Sequence, residues 1–575
     1  MSVTVAKTAG FCWGVRRAVD LVLAEIKRGR GPYMVYGQLV HNPQVIEALG
    51  ERGVGVCDDP CSMEAGTLFL RTHGVTLDER ERLEKLPIRL RDLTCPKVRR
   101  ALELARRMSR RGYDVVILGD EGHQEVRAIR SYAGDGAHVI SGPDDVERLP
   151  ELQKPFLLSQ TTQDTEAWER SLRMLSHRFG DVEHANTICG STRQRQQELR
   201  QLCSGADCVV VVGGHNSANT GRLAGIAEEE GLPVHHVETA SELDEEVLAD
   251  CRSILLTAGA STPSWSIRKV RERLHEIQGL GAKTGAARKM IRDLVFSSAH
   301  VPPAALLIGL AGWRLLNGGS WLLPVLSSSL VLFALHVLNS ILETGVCTAA
   351  CHRRQEYIAG HRRAHVIVAA VSLASSMVLA VMSGLICVGA VAVSLLAFLM
   401  YSLPLVGGRL PVGGLRALPG ARDILFALAW SVLLGLLPGL AASSPVVPVL
   451  LWSAALFALF LARSVLVDLV DLQGDALMGL DTIPLKLGEA WSVRLLFGSA
   501  AASAVAVGAG VFLELLPVRS LGFLLAPAWL MAGYAAVRKA AFPSELHSRL
   551  ATDGSLFVAG IATLAATLIP WEVPC

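Results

Sequence analysis

The sequence predicts an α/β N-terminal half fused to an all-α membrane domain of nine transmembrane helices. The first observation is the charge distribution: residues 1–298 carry 40 basic and 41 acidic side chains, whereas residues 299–575 carry 15 and 12. So few charges among Leu, Ala and Val are typical of a membrane domain. The second observation is that apolar runs in the front half, such as 115–118, lead into Gly-rich turns and helical patterns. A purely soluble enzyme, a disordered chain and a basic nucleic-acid-binding protein are thereby excluded.

Three cysteines, Cys12, Cys95 and Cys189, each have Gly or Pro within two residues, as loop residues do. Their separations of 83 and 94 residues indicate three comparable α/β units that converge on one point, because sites in α/β proteins form at strand ends. Three thiolates can hold an iron–sulfur cluster, and a 4Fe–4S cluster with three Cys ligands leaves one iron open. We therefore predict three α/β units around a central iron–sulfur cluster. Four other cysteines, Cys203, Cys208, Cys251 and Cys387, are better explained as small buried apolar side chains.

Three histidines, His41, His73 and His123, each lie beside Gly or Asn in predicted loops. Two Gly/Ser/Asn-rich loops, 213–222 and 257–263, each follow a strand-like apolar run. Such loops offer backbone N–H groups and hydroxyls to an anion where a strand leads into a helix. Together with the histidines, they predict a diphosphate-binding site.

In order and spacing, these segments resemble the IspH/LytB family of 4-hydroxy-3-methylbut-2-enyl diphosphate reductases over about residues 1–280. The residues that carry the resemblance include Gly10-Phe11-Cys12, Thr94-Cys95-Pro96, Gly122-His123-Gln124-Glu125 and Ser159-Gln160-Thr161-Thr162. The resemblance implies that Cys12, Cys95 and Cys189 bind the cluster. It implies that the diphosphate is held by His41, His73, His123, Ser217, Asn219 and Ser261. Glu125 would deliver protons and Thr161 would lie near the substrate hydroxyl, while Ala218 stands where the family usually has a second Ser.

The activity that this resemblance implies is reductive dehydration of an allylic diphosphate to isopentenyl and dimethylallyl diphosphate. The open iron would bind the allylic hydroxyl, two electrons would enter through the cluster, and water would leave. Electrons would come from a ferredoxin or flavodoxin, because the chain carries no Gly-rich nucleotide-binding fingerprint.

The two halves are expected to join through a basic linker, residues 281–293, so that the domains are 1–280 and 294–575. Its Lys and Arg side chains would lie on anionic lipid headgroups and hold the reductase at the membrane. We interpret the fusion as co-localisation of two steps, because a raised local concentration is the physical consequence of tethering.

The rear half contains seven uncharged stretches, of which the two longest, 366–408 and 424–462, are each long enough for two helices. A span needs about 20 apolar residues, so these stretches predict nine spans. The other five stretches are 294–313, 315–342, 495–513, 520–537 and 554–571. We expect the two long stretches to break near Ser383-Gly384 and near 442–445.

Basic residues favour one orientation of these spans, because Lys and Arg collect on the cytoplasmic side. Thirteen lie in loops that share a side with the front half: Arg353, Arg354, Arg362, Arg363, Arg409, Arg416, Arg422, Arg463, Lys486, Arg494, Arg538, Lys539 and Arg549. The other side has little beyond Arg314 and Arg519. The N-terminus carries no secretory signal. We therefore expect a multi-pass protein of a bacterial-type inner membrane, with the front half in the cytoplasm and the C-terminus outside.

Acidic residues after the sixth span, Asp468, Asp471 and Asp475, follow an i, i+3, i+7 spacing that would place them on one helix face. Their repulsion would be relieved by Mg²⁺, which typically binds one or two carboxylates plus a substrate phosphate. An ordinary solvated acidic loop is the alternative, but such loops do not repeat at helical spacing.

This segment and the nine-span count resemble the UbiA family of membrane prenyltransferases over about residues 295–575. The resemblance implies transfer of a polyprenyl group from its diphosphate to an unidentified acceptor, with Mg²⁺ held between two aspartate-rich loops. In the first loop Asn339 and Glu343 remain, but Ser340 and Cys347 stand where the family has aspartates.

Two alternatives stay open. In the first alternative, which the altered first loop favours, the membrane half is a non-catalytic anchor for the reductase. In the second alternative, the soluble half is an iron–sulfur redox sensor that controls a membrane enzyme. Retention of Glu125 and the histidines argues against a sensor, because a sensor needs the cluster but no proton donor.

Overall fold

The computed structural model describes residues 2–60, 63–277, 285–316, 322–343, 353–407, 420–441, 443–470, 472–478, 482–540 and 542–569. The chain divides into two compact units, Met1–Leu280 and Gly281–Cys575. The first contains parallel α/β sheets and the second is helical. The predicted α/β and all-α classes are confirmed.

Among the described residues of the first unit, twelve strands form three four-stranded sheets. The strands are β1 (Ser2–Val5), β2 (Tyr33–Tyr36), β3 (Val54–Cys57), β4 (Thr67–Leu70), β5 (Arg89–Asp92), β6 (Asp114–Leu118), β7 (His138–Ile140), β8 (Pro155–Ser159), β9 (Glu183–Ala185), β10 (Cys208–Val212), β11 (Val234–Val237) and β12 (Ser253–Ala258). Every pair is parallel, in the orders β1-β12-β10-β11, β3-β2-β4-β5 and β7-β6-β8-β9. The first strand therefore belongs to the same sheet as the last three.

The central strands are buried on both faces, which explains their continuous apolar sequences. All five residues of β10, Cys208-Val-Val-Val-Val212, are buried, as are all five of β8. Parallel sheets covered by helices on both sides require such strands.

Ten helices connect the strands of the first unit within the described residues. They are α1 (Trp13–Lys27), α2 (Pro43–Gly50), α3 (Leu77–Leu83), α4 (Pro96–Arg110), α5 (Gln124–Ala133), α6 (Thr165–Phe179), α7 (Gly190–Cys203), α8 (Ala218–Glu229), α9 (Glu245–Ala249) and α10 (Ser264–Ile277). In α4, Val98, Ala101, Ala105 and Met108 lie on one buried face, while Arg and Lys side chains occupy the other. Packing of that apolar face against the sheet core fixes where the helix begins and so where Cys95 lies.

The second unit contains the remaining helices. They are α11 (Gly285–Phe296), α12 (Val301–Leu316), α13 (Leu322–Glu343), α14 (Arg353–Gly360), α15 (Arg362–Ser383), α16 (Leu385–Gly407), α17 (Ala421–Ser431), α18 (Leu437–Ala441), α19 (Val446–Val470), α20 (Leu472–Met478), α21 (Ile483–Leu487), α22 (Glu489–Phe512), α23 (Leu525–Lys539) and α24 (Glu545–Leu568). One π-helical turn, Val432–Leu436, joins α17 to α18.

Eight helical segments of the described chain are long and apolar enough to cross a membrane. A ninth candidate is a bent pair, 289–296 and 301–316, whose two parts meet at 77°. The sequence predicts a first span over 294–313, whereas the structure breaks the chain inside that range and begins α12 at Val301. The predicted break at Gly384 is present, because α15 ends at Ser383 and Gly384 has a positive φ of 109°. The count of nine spans stays a prediction.

The two faces of these helices differ as a membrane protein requires. Large side chains such as Trp430, Trp452 and Phe460 are fully buried in the helical core. On α15 and α16, by contrast, Ile367, Val381 and many further apolar side chains are exposed on the surface of the unit. Such a surface is stable against lipid rather than water. The second unit is therefore the multi-pass membrane part of the protein.

Candidate active site

Cys12, Cys95 and Cys189 are the residues that precede the first turns of α1, α4 and α7. All three are free thiols and half-buried. Each follows the carboxyl end of a strand, β1, β5 or β9, so equivalent positions of the three α/β units carry them. The positive end of a helix stabilises a thiolate, and a thiolate is the form that binds metal.

The sulfur atoms of Cys12 and Cys95 lie close together beside Gly14. A Cβ atom at Gly14 would come 2.8 Å from Cys95 Sγ and 3.8 Å from Cys12 Sγ, so a larger residue there would displace the thiols. Burial raises the pKa of Cys95, the nearby Cys12 and Cys189 raise it further, and the backbone N–H groups of Lys97 and Val98 oppose both effects. Burial and the neighbouring thiols both oppose ionisation of Cys95, so this residue needs a cationic centre beside it to bind as a thiolate. The donor set of the three thiols therefore fits an iron–sulfur cluster.

One cavity brings together all eleven residues of the first unit that the sequence singles out. Its volume is about 100 Å³. The eleven are Cys12, His41, His73, Cys95, His123, Glu125, Thr161, Cys189, Ser217, Asn219 and Ser261. Ala218 lines the cavity as well. The three thiols and the polar side chains therefore line the same cavity.

Glu125 and Thr161 form the best-defined hydrogen-bonded pair in this cavity. The Thr161 backbone N–H donates to Glu125 Oε1 at 2.6 Å, and the Thr161 hydroxyl donates to Oε2 at 2.9 Å. Glu125 is 1 % exposed, and this burial raises its pKa to about 7 although both hydrogen bonds act to lower it. A carboxyl with that pKa can give and take a proton near neutral pH.

The three histidines form a compact cluster. The rings of His41 and His73 stack with centroids 4.3 Å apart, and His123 lies edge-on to both, at 5.7 and 5.6 Å. Burial lowers the pKa of His41 to about 4, with smaller effects from His123 and Arg71, and it lowers the pKa values of His73 and His123. Both ring nitrogens of His41 and Nδ1 of His73 are buried and have no hydrogen-bond partner. These nitrogens are oriented to bind a group in the cavity.

Two kinds of ligand suit this histidine cluster. The ring nitrogens lie within 4.8 Å of one another, which would accommodate a metal ion. The neighbouring groups favour an anion instead, because Ser217 caps α8 and the buried side-chain amide nitrogen of Asn219 is unpaired. Ser261 donates to the carbonyl of His41 at 3.1 Å and so joins the last strand of the unit to the histidines. Hydroxyl and amide donors at a helix N-terminus are the groups that bind phosphate.

Arg195 is a residue of this region that the sequence analysis did not identify. It is 3 % exposed and donates to the carbonyl of Gly10 and to the hydroxyl of Ser191. It therefore connects the loop that carries Cys12 to the helix that begins at Cys189, and its charge lies near both thiols. The sequence alone does not distinguish the buried Arg195 from Arg193, which lies two residues earlier on α7 and is exposed.

In the second unit the structure describes part of the predicted aspartate group. Asp468 and Asp475 are buried, whereas Asp471 lies outside the described residues. Asp468 lies on α19, which ends at Val470, and Asp475 lies on α20, which begins at Leu472, so a helix that continues through Asp471 stays a prediction. Asp475 interacts electrostatically with Asp468.

Asp423 joins these two residues, although the sequence analysis did not select it as a site residue. It is fully buried, accepts a hydrogen bond from Ser464 at 2.7 Å, and lies with Asp468 beside the guanidinium of Arg422. Asp423 and Asp468 also interact with each other, and each has one carboxylate oxygen that accepts no hydrogen bond from a donor within the described residues. We call Asp423, Asp468 and Asp475 the carboxylate cluster. Its unpaired oxygens could hold a divalent cation.

The first aspartate loop differs from the expected metal site. Arg354 donates to Ser340 at 2.8 Å and to Ser298 at 2.7 Å, so a guanidinium occupies the position beside Ser340. Asn339 is half-buried on α13, and the side chain of Glu343 lies outside the described part of the chain.

A second basic side chain, Arg463, is buried inside α19 and pairs with Asp553 of α24. Arg463 is therefore not the loop residue that the predicted orientation assumes.

Comparison with known proteins gives matches to each half separately. The family model for LytB protein matches residues 3–275. A 4-hydroxy-3-methylbut-2-enyl diphosphate reductase of Citrifermentans bemidjiense is 42 % identical over 278 residues, which are 48 % of this chain and 98 % of the relative. Among solved structures, the Plasmodium falciparum E-1-hydroxy-2-methyl-but-2-enyl-4-diphosphate reductase has a TM-score of 0.46 at 27 % identity, covering 48 % of this chain and 87 % of its own. A UbiA homologue from Aeropyrum pernix K1 has a TM-score of 0.36 at 16 % identity, covering 48 % of this chain and 98 % of its own.

Proposed function

The chain belongs to the LytB family through its N-terminal half, and on that premise we propose that this half reduces 4-hydroxy-3-methylbut-2-enyl diphosphate to isopentenyl and dimethylallyl diphosphate. One observation supports the proposal above all: three thiols, three histidines and a titratable carboxyl face the same cavity. The reaction consumes two electrons and two protons, breaks the C–O bond to the allylic hydroxyl, forms a C–H bond and releases water. Each requirement has a matching group in this cavity.

Cys12, Cys95 and Cys189 would hold a 4Fe–4S cluster at the helix N-termini. The cluster, when bound, supplies the electrons and an open iron for the substrate oxygen. The histidines and the donors at α8 bind the diphosphate and so orient the five-carbon chain toward the thiols. Glu125 holds a proton near neutral pH and gives it to the reacting end of the substrate. Thr161 fixes the orientation of the Glu125 carboxyl through its two hydrogen bonds.

The test uses the full-length chain in detergent, reconstituted anaerobically with iron and sulfide. We expect a brown protein with an electron-paramagnetic signal on reduction, and turnover of the allylic diphosphate with dithionite-reduced methyl viologen. Absence of both the cluster signal and turnover would overturn the proposal. Cys95→Ser should lose the cluster, whereas Cys203→Ser, at a buried position outside the cavity, should keep it.

The second unit has two candidate functions. Prenyl transfer with Mg²⁺ is favoured by the carboxylate cluster, because the single charge of Arg422 does not balance three buried carboxylates and a divalent cation would. A non-catalytic anchor is favoured by Arg354, because its charge would repel a cation placed beside Ser340. We propose prenyl transfer supported by a single cation site at the carboxylate cluster, with a polyprenyl diphosphate as donor and an acceptor still to be identified.

The two candidates differ in an assay of radiolabelled prenyl diphosphate with aromatic acceptors in vesicles. Mg²⁺-dependent product that disappears in Asp468→Asn would support transfer. Absence of product from both that variant and the unaltered chain would leave the anchor as the function of this half, and equal product from both would exclude the carboxylate cluster from transfer. Arg314→Gln, at a basic residue outside the cluster, is the matched control.

A further inference from the structure

The helices that begin at the three cysteines share an unusual charge pattern. None of α1, α4 and α7 has an acidic residue in its first turn, although acidic residues are favoured there by the helix dipole. Exposed basic residues occupy these turns instead: Arg16 on α1, Lys97 and Arg100 on α4, and Arg193 on α7. We call these four residues, with Trp13, the basic face.

Positive charge at the positive end of a helix costs stability, so the pattern needs a cause outside the helices. The basic residues are not needed to neutralise the thiolates, because the charge of the buried Arg195 already lies near Cys12 and Cys189. The side chains of the basic face are in water, where solvent and salt screen their effect on the sulfur atoms. Their charge acts on whatever approaches from solution.

The basic side chains of this face are available for such an approach. In the described part of the chain, Lys97, Arg100 and Arg193 form no ion pair, and Arg16 only interacts electrostatically with Asp20 one turn along α1. Two other basic residues of these helices are paired: Arg99 with Asp92, and Arg200 with Asp164.

Trp13 adds an apolar anchor to the basic face. It follows Cys12 directly and is 65 % exposed. Trp and Arg are the residues most enriched among those that dominate binding energy at protein interfaces. A large aromatic side chain exposed among basic residues is therefore typical of a surface that binds a protein.

Resting on the proposed reductase function, we propose that the basic face is the docking site of an acidic electron-carrier protein. Each carrier that docks loses one electron and the cluster gains it, so two visits supply the pair of electrons that cleavage of the C–O bond consumes. The half-buried cysteines keep the cluster close to this face. Transient redox complexes bury less than about 1,200 Å² and depend on charge for their rate of association.

The test replaces three arginines of the basic face together, as R16Q/R100Q/R193Q. Lys97 is left in place because it also lines the substrate cavity. The matched control is R107Q/R110Q/R111Q, which removes the same charge from the other end of α4, about 18–24 Å from Cys95 at 1.5 Å per residue. The full-length chains are reconstituted and then reduced either by an acidic flavodoxin or by reduced methyl viologen.

We expect the flavodoxin-driven rate of the first variant to fall at least tenfold at low ionic strength, and its dependence on salt to become shallower. Its viologen-driven rate and its iron content should match those of the unaltered chain. The control variant should keep both rates. An unchanged flavodoxin rate, or an equal loss in the control, would overturn the docking site. A lack of viologen-driven turnover in the unaltered chain would instead overturn the reductase function itself.

Discussion

Single buried side chains decide the chemistry of the first unit. Glu125 is almost completely enclosed, and its enclosure rather than any charged neighbour brings its pKa to about 7. The histidines are also buried, but burial lowers the pKa of a base, whereas it raises the pKa of an acid such as Glu125. Near neutral pH the Glu125 carboxyl is therefore protonated or half-protonated, and the imidazoles beside it are neutral. This charge state suits a cavity that receives an anion.

Replacing Glu125 by Gln should lower turnover by roughly 10²- to 10⁴-fold, the usual contribution of a positioned proton donor, while leaving the iron content unchanged. Because the protonated form is the active one, the rate of the unaltered enzyme should fall as pH rises through about 7. Stopped-flow turnover between pH 6 and 9 measures both effects. Near-normal turnover of E125Q would remove Glu125 from the reaction.

Binding of a diphosphate should take up protons. A negative ligand raises the pKa of the neutral imidazoles, so protons enter with it and affinity weakens as pH rises. Titration calorimetry of isopentenyl diphosphate at pH 7.5, in buffers of different ionisation enthalpy, counts these protons. His41→Asn should reduce the count, and His177→Asn on α6, an exposed position, should not. Equal uptake by both variants would contradict the role of the cluster.

Much of this site could be predicted from the sequence, because Cys, His and Gly in loops after apolar runs are distinctive. Arg195 and Asp423 could not be predicted. Each is one charged residue among several on its helix or loop, and only the packing of distant segments places it inside.

At the scale of elements, ion pairs and hydrogen bonds between helices stabilise the second unit. In the second unit, Arg463 of α19 pairs with Asp553 of α24, which also accepts a hydrogen bond from His300 at 3.1 Å. Removing one partner of a buried pair leaves an uncompensated charge. These contacts therefore fix the positions of three segments that are far apart in sequence.

Arg463→Met should lower the free energy of unfolding by about 3–5 kcal/mol, because Asp553 would remain buried without its main partner. The double variant R463M/D553L should recover much of that loss. Thermal unfolding in detergent measures both, and His361→Gln, at an exposed residue, serves as the control. A melting temperature of R463M equal to that of the unaltered chain would show that the pair does not contribute to stability.

At the scale of the whole molecule, the number of spans decides on which side of the membrane the chain ends. The sequence could predict the apolar stretches but not the bend between α11 and α12, because a bend of that kind depends on packing rather than on hydropathy. Nine spans place the two termini on opposite sides, whereas eight place them on the same side.

A reporter fused to the C-terminus distinguishes these topologies in a bacterial host. We expect alkaline phosphatase activity and no green fluorescence there, together with bright fluorescence from the same reporter at the N-terminus. This outcome follows from nine spans and from the excess of basic residues on the front-half side. Fluorescence at both termini would indicate eight spans.

The position of β1 has a consequence for how the protein is made. Within the described residues its partner is β12, and the backbone N–H of Cys12 donates to the carbonyl of Ala260, so the first of the three thiols is anchored by residues synthesised some 250 positions later. The three thiols can therefore meet only shortly before the first apolar helix is synthesised. On the proposed function, iron would be loaded at the same stage of translation at which the second unit inserts into the bilayer.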